Sequence, residues 1–206
     1  MAKVVVLDYG SGNLRSAERA VARTGAEVTV TSDLAAAAAA DGLVVPGVGA
    51  YAACMAGIDA LGAGPVIAER VAAGRPVLGI CVGMQILFDA GVEHGVESKG
   101  LGLLPGVVTR LAAERIPHMG WNTVDVAEGS TLLAGLPAGV RFYFVHSYAA
   151  SDLDVLRRAG AKVTTAAHDE PFAAVVESGS LSAAQFHPEK SADAGYGLLR
   201  NWVAGL

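Results

Sequence analysis

Short apolar runs recur through the first half of this chain, each stopped abruptly and followed by a stretch of helical character. Lys3–Leu7 ends at Asp8, Leu43–Val45 ends at Pro46-Gly47-Val48-Gly49, and Val77–Ile80 ends at Cys81. Continuous apolar runs of this length, bounded by turn residues, are strands buried on both faces, which means a parallel sheet covered by helices. Helical stretches at Asn13–Arg23, Leu34–Ala40 and Ala50–Ala73 (the last broken near Gly62–Pro65), with a further strand at Glu27–Val30, complete the alternation. Ligands of such sheets bind beyond the carboxyl ends of the strands. Asp8, Pro46 and Cys81 are therefore expected to face one crevice.

The second half changes character. Gly106–Leu111, Asn122–Val126, Arg141–Val145, Lys162–Ala167, Ala173–Ser178 and Leu181–Gln185 read as short antiparallel strands, with a hairpin turn over Glu177–Ser180 and a closing helix over Ser191–Val203. No linker, repeat or low-complexity tract divides the 206 residues. The expectation is one α/β domain over residues 1–206, flavodoxin-like, with a mostly parallel central sheet flanked by helices and extended by antiparallel strands in the second half.

Composition narrows the function classes. The chain is 52% hydrophobic, but much of this is alanine, and no run approaches the roughly 18 apolar residues of a membrane span. The first apolar run is too short for a signal peptide, so a cytoplasmic location with no membrane partner is expected. The net charge is −5 and no Lys/Arg cluster occurs, which argues against a nucleic-acid partner. The two cysteines, Cys54 and Cys81, are not expected to pair in a reducing compartment, and no cysteine pair has zinc-ligand spacing. No metal and no organic cofactor is expected.

Cys81 stands between Gly79 and Gly83, at the end of a buried strand and just before a helical stretch over Met84–Phe88. Strand, small-residue turn and helix describe a nucleophile elbow, which lifts one side chain on a sharp turn and aims the next backbone N–H groups at the attacked carbonyl. Such a thiol needs a base. Of five histidines, His187 has the fitting setting, Gln185-Phe186-His187-Pro188-Glu189-Lys190. A strand delivers it, Pro188 fixes the backbone after it, and Glu189 lies two residues on, able to orient the imidazole and stabilise its charged form. The imidazole then supports the thiolate, the nucleophilic form of cysteine. Cys54, in an alanine-rich helical stretch without an elbow, reads as a small buried hydrophobe.

Gly79-Ile80-Cys81-Val82-Gly83-Met84-Gln85 together with Gln185-Phe186-His187-Pro188-Glu189 resembles the class I (triad) glutamine amidotransferases. Asp8-Tyr9-Gly10-Ser11-Gly12-Asn13, Pro46-Gly47-Val48-Gly49-Ala50, Pro117-His118-Met119-Gly120-Trp121-Asn122 and Phe142-Tyr143-Phe144-Val145-His146-Ser147-Tyr148 narrow the resemblance to the glutaminase subunits of imidazole glycerol phosphate synthases. It runs nearly end to end, with the motifs in order. The resemblance implies hydrolysis of glutamine through a γ-glutamyl thioester on Cys81, with His187 as proton carrier and Glu189 orienting it. Val82 and the Gly47-Val48-Gly49 loop would supply oxyanion donors. Gln85, with His146-Ser147-Tyr148 mainly through backbone, would hold the substrate; His94, His118 and His168 receive no catalytic role.

The resemblance also implies a partner, a cyclase subunit with a (β/α)8 barrel, docked as a heterodimer in histidine biosynthesis. Asn13, Trp121, Tyr143 and Lys190 would face it around an ammonia passage; for Tyr143, core packing is an equal reading. No acceptor-binding domain follows residue 206, so the acceptor is expected on another chain, and the chain alone is expected to hydrolyse glutamine poorly. Three alternatives remain at this point. A glutaminase of another synthase, such as pyridoxal phosphate synthase, lacks the His-Met-Gly-Trp-Asn segment; a non-catalytic scaffold usually loses the cysteine or histidine; the third is a stand-alone cysteine hydrolase or peptidase.

Overall fold

The computed structural model describes residues 1–206. The first half alternates β1 (Lys3–Leu7), α1 (Leu14–Ala22), β2 (Glu27–Thr31), α2 (Leu34–Ala39), β3 (Gly42–Gly47), α3 (Tyr51–Leu61), α4 (Ala63–Ala72) and β4 (Val77–Cys81). A one-turn helix α5 (Val82–Gln85) leads into β5 (Phe88–Glu93), β6 (Val96–Lys99), β7 (Leu104–Arg110), β8 (His118–Thr123), β9 (Arg141–His146) and β10 (Tyr148–Ala150). The chain closes with α6 (Leu153–Arg158), β11 (Lys162–His168), β12 (Glu170–Ser178), β13 (Leu181–Ala184), a 3-10 turn (Pro188–Lys190) and α7 (Ala192–Ala204).

The main sheet has the order β11-β12-β13-β4-β3-β1-β2. Strands β2, β1, β3, β4 and β13 run parallel, while β12 and β11 extend the sheet antiparallel. This is the expected α/β architecture, with one change: β13 pairs parallel with β4, Leu181 opposite Val77, so it belongs to the central sheet. That placement matters, because it sets the chain after β13 beside the chain after β4. Every residue of β3 and β4 is buried, as continuous apolar runs require. A smaller sheet of order β10-β7-β5-β6 and the hairpin β8-β9 complete the fold. One cluster of 54 buried residues joins both halves, so site residues from either half share one packed frame.

Other expectations are revised. The helix placed over Met84–Phe88 is instead the turn Val82–Gln85, and Phe88 opens β5. Ile86, Leu87 and Phe88 are buried, and their carbonyls accept N–H bonds from Leu101, Leu103, Leu104 and Gly102 at 2.8–3.1 Å. Pairing with that later segment, not local propensity, decides the backbone. The strand expected over Asn122–Val126 is His118–Thr123, in register with β9. Strands β5, β6 and β10 and helix α6 had no counterpart in the sequence reading, although Asp152 caps α6 by accepting the Val155 N–H at 3.2 Å. No single helix is long and apolar enough to cross a membrane.

Arg70 is the one buried residue among the lysines and arginines, 2% exposed. From α4 its guanidinium donates to the carbonyls of Ala37, Ala38, Ala40, Asp41 and Pro76 at 2.9–3.1 Å, tying the end of α2 to the residues that lead into β3 and β4. Without it Ala40 keeps Arg75 and Pro76 keeps the Leu43 N–H, but the Ala37, Ala38 and Asp41 carbonyls lose their donor, which is costly. Arg70→Met, which keeps most of the volume, is expected to destabilise the fold by about 3 kcal/mol or more, read as a lowered denaturant midpoint.

Candidate active site

Cys81 sits at φ 57° and ψ −117°, a conformation L residues rarely adopt and one that costs roughly 1–3 kcal/mol. The neighbours over-determine it. Cys81 is in register with Gly47 of β3, and Ile80 with Ala184 of β13. The chain then turns so closely that a Cβ on Gly83 would collide with the Val45 carbonyl oxygen. The elbow read from Gly79-x-Cys81-x-Gly83 is therefore present, with Cys81 4% exposed and Val82 opening α5, where first-turn N–H groups have no helical partner.

His187 is held by its backbone. Its N–H donates to the Tyr143 carbonyl at 3.0 Å, and its own carbonyl accepts the Ser191 hydroxyl at 2.7 Å. The same hydroxyl accepts the Tyr143 N–H at 2.9 Å. The 3-10 turn folds Glu189 back onto the ring, Nδ1 to Oε1 at 2.7 Å, with both side chains 3% exposed. Burial alone would lower the imidazole pKa, but hydrogen bonds to Cys81 and Glu189 and their negative charges outweigh it and raise it to about 9. His187 thus carries a proton at neutral pH, between a carboxylate and a sulfur.

A cavity of about 250 Å³ opens over Cys81 and His187. Val82, Val48, Gly49, Gln85, His146, Ser147, Tyr148 and Lys190 line it, so the structure brings together most of the residues singled out in the sequence. Gly47 lies underneath, where a Cβ would meet the Gly83 nitrogen and the Tyr9 hydroxyl. Asn13 stands outside the cavity at the N-terminus of α1. Trp121 and Tyr143 also stand outside, opposite each other on the β8-β9 hairpin, with ring centroids 6.0 Å apart and Trp121 51% exposed. Tyr143 is half-buried and edge-packed on Trp121, so it is not a core residue.

Three details refine the expected roles. Both N–H donors of the Gln85 amide are committed, to the Tyr148 carbonyl at 2.8 Å and to Gln185 Oε1 at 3.0 Å, so Gln85 meets a ligand only through its carbonyl oxygen. His146 is buried and its pKa falls, chiefly by desolvation, to about 3. Its Nδ1–H donates to the Tyr148 carbonyl at 3.0 Å, and Nε2 accepts from His118 at 3.0 Å. His146 is a neutral support for the cavity wall. The Val48 N–H, an expected oxyanion donor, is bound by Ser11 Oγ at 3.2 Å.

The sequence reading missed Glu93. It lines the cavity from the end of β5, and its Oε2 accepts the N–H of Tyr51 at the start of α3, 3.0 Å away. No motif marks it, because it lies in a stretch without a recognised element; its only signal was an acidic residue shortly after the elbow. Cys54 is fully buried as expected, yet its sulfur lies 3.2 Å from Ser11 Oγ and 3.4 Å from the Val48 carbonyl oxygen, so it is more than filler.

The arrangement is a charged imidazole between a carboxylate and an elbow cysteine, facing a cavity with acceptor groups on the opposite wall. The family model "Glutamine amidotransferase class-I" matches residues 5–205. Relatives named "Imidazole glycerol phosphate synthase subunit HisH" occur in Mycolicibacterium paratuberculosis and Mycobacterium tuberculosis. Each is 64% identical over 203 residues, covering 98% of this chain and 98% of the relative. Among solved structures, the glutaminase domain of Trypanosoma brucei CTPS with bound acivicin superposes with a TM-score of 0.70 at 18% identity, covering 100% of this chain and 94% of that one. That likeness is one of fold.

Proposed function

The chain belongs to the class I glutamine amidotransferase family, and on that premise we propose that it hydrolyses glutamine and delivers the ammonia to a cyclase subunit with a (β/α)8 barrel. The product would be imidazole glycerol phosphate, with an aminoimidazole carboxamide ribonucleotide as by-product, in histidine biosynthesis. Residues 1–206 would act as one glutaminase domain. The observation that carries the reading is the protonated His187 held between Glu189 and Cys81 at the floor of the cavity.

The chemistry follows from these positions. The Cys81 thiolate attacks the side-chain amide carbon of glutamine, forming the C–S bond, and the carbonyl oxygen becomes an oxyanion. The Val82 N–H and a donor from the Gly47-Val48-Gly49 loop stabilise it. As the C–N bond breaks, His187 gives its proton to the leaving nitrogen and ammonia departs. Neutral His187 then takes a proton from water, the hydroxide attacks the thioester, and the C–S bond breaks to release glutamate. Glu189 keeps the ring oriented and its positive form stable. At the far wall, the Gln85 carbonyl oxygen and the Glu93 carboxylate are acceptors suited to the substrate's ammonium group.

Docking would cover the surface beside the triad. Met119 and Trp121 are exposed apolar side chains on β8, Tyr143 is their neighbour on β9, and the Tyr143 carbonyl holds His187. Asn13 and Lys190 would join this face. Reactive ammonia needs a closed path to its acceptor, which a patch adjoining the cavity allows. Both cysteines are unpaired thiols, in keeping with action in the cytoplasm. Trp121→Ala is expected to weaken association with the cyclase subunit by roughly 30-fold, the effect of losing one aromatic anchor, measured by titration calorimetry.

The test of the function is product formation by the purified pair, supplied with the cyclase's nucleotide substrate and either glutamine or ammonium. Glutamine-dependent product that requires this chain, beside ammonia-dependent product that does not, supports the reading. Glutamine hydrolysis without any transfer to the cyclase would point to another synthase instead.

A further inference from the structure

Gln185 is fully buried beside the nucleophile, and no step of the hydrolysis above uses it. It follows β13 directly, where Ala184 is in register with Ile80 of β4, and its N–H donates to the Ala174 carbonyl at 2.9 Å. Between Gln185 and His187, Phe186 stacks on Phe142 with ring centroids 4.0 Å apart and anchors the segment. Amide and imidazole thus reach Cys81 from one short stretch of chain. The orientation of the Gln185 amide is fixed by its partners. The Tyr148 carbonyl can only accept, so the Gln85 group that meets it at 2.8 Å is the NH2. That NH2 also meets Gln185 at 3.0 Å, so Gln185 presents its oxygen there. The Gln185 NH2 is therefore turned to the Cys81 sulfur, 3.9 Å away, and has no other acceptor.

We propose that Gln185 is a further catalytic residue, whose amide N–H receives the Cys81 sulfur as the thioester breaks and stabilises the charge that returns to it. The inference rests on the glutaminase reading above and gives the sulfur a second donor beside His187. In the thioester the sulfur is bonded to the acyl carbon and accepts hydrogen bonds poorly. Once hydroxide has added, the tetrahedral intermediate collapses and the C–S bond breaks. Its electron pair passes to the sulfur, while the γ-carboxyl group of glutamate forms on the carbon. A buried amide with an unspent N–H then gains a charged acceptor, and charge-assisted bonds are the stronger class. A bond that strengthens as charge develops lowers the barrier to that step. Attack on glutamine takes charge off the sulfur, so the same N–H gives acylation no help.

Gln185→Met keeps most of the volume and removes the N–H. At saturating glutamine the ratio of thioester to free Cys81 equals the ratio of acylation to deacylation rates, whichever step limits turnover. In the purified pair, acid quench and mass spectrometry of the Cys81 peptide should show that ratio about tenfold above wild type, the factor set by roughly one hydrogen bond. Gln85→Leu removes the same Gln85–Gln185 bond but leaves the Gln185 N–H at the sulfur. It should raise KM and keep the ratio within about twofold of wild type. Melting temperatures identify a variant that fails to fold; Gln185→Asn, which keeps an amide too short to span from Gln85 to the sulfur, then carries the test. A ratio in the Gln185 variants that rises less than about twofold, or that rises equally in Gln85→Leu, overturns the proposal and leaves the glutaminase reading intact. A wild-type pair in which glutamine never acylates Cys81 overturns the glutaminase reading, and the role of Gln185 with it.

Discussion

Replacing Cys81 by alanine is expected to lower glutamine-dependent product formation by on the order of 10⁴-fold or more, while ammonia-dependent formation by the same complex stays within about twofold. The asymmetry follows from geometry. Only Cys81 stands on the elbow at φ 57°, 4% exposed, at the cavity floor beside a charged His187, and nothing else in the cavity can form the thioester. Free ammonia bypasses that step. Alanine keeps the Cβ and therefore the strained backbone, so fold and docking should be unchanged. The measurement is steady-state product formation with each nitrogen source at saturating concentration. Loss of both activities would sink the division of labour between the two chains. Retained glutaminase activity would remove Cys81 from the role of nucleophile.

The sequence was legible where one physical rule dominated. Fully buried strands leave continuous apolar runs, so β1, β3 and β4 were readable to within about two residues. The elbow was readable because two glycines flank a cysteine where a Cβ has no room, as at Gly83. The histidine and glutamate were found because a rigid Pro188 fixes their separation. Legibility failed where distant pairing decides. Ile86-Leu87-Phe88 suits a helix or a strand equally, and only residues 101–104, which take its carbonyls, settle the matter. The error carried over to Glu93, since a residue on an unrecognised strand cannot be placed in a cavity. The grip of Ser11 on Val48 joins two loops 37 residues apart; each loop was visible in the sequence, but their contact was not. Likewise, nothing local says that β13 lies parallel to β4, the pairing that sets His187 next to Cys81.

Glu189→Gln is the second large effect, a fall in kcat for glutamine hydrolysis of roughly a hundred- to ten-thousand-fold with little change in KM. The carboxylate receives Nδ1 of His187 at 2.7 Å, while its second oxygen is buried without a partner. An amide in this place has two orientations, and both are costly. With its oxygen toward the ring, the imidazolium loses its counter-charge and a buried NH2 lacks an acceptor. With its nitrogen toward the ring, Nδ1 becomes an acceptor and the proton moves to Nε2, the wrong tautomer to receive one from the thiol. The pH dependence separates this from simple unfolding. The His187 pKa is raised from 6.5 to about 9 by Cys81 and Glu189 against the opposing effect of burial. Its charge therefore stabilises the fold fully below about pH 6.5, and that contribution fades as pH rises through about 9. Without the carboxylate the raised value falls, so the variant's stability should depend less on pH across this window. The alkaline limb of its residual kcat/KM, which reports the coupled Cys81–His187 pair, should move to lower pH. A variant with wild-type rate and an unmoved alkaline limb would mean that Glu189 neither orients nor charges His187.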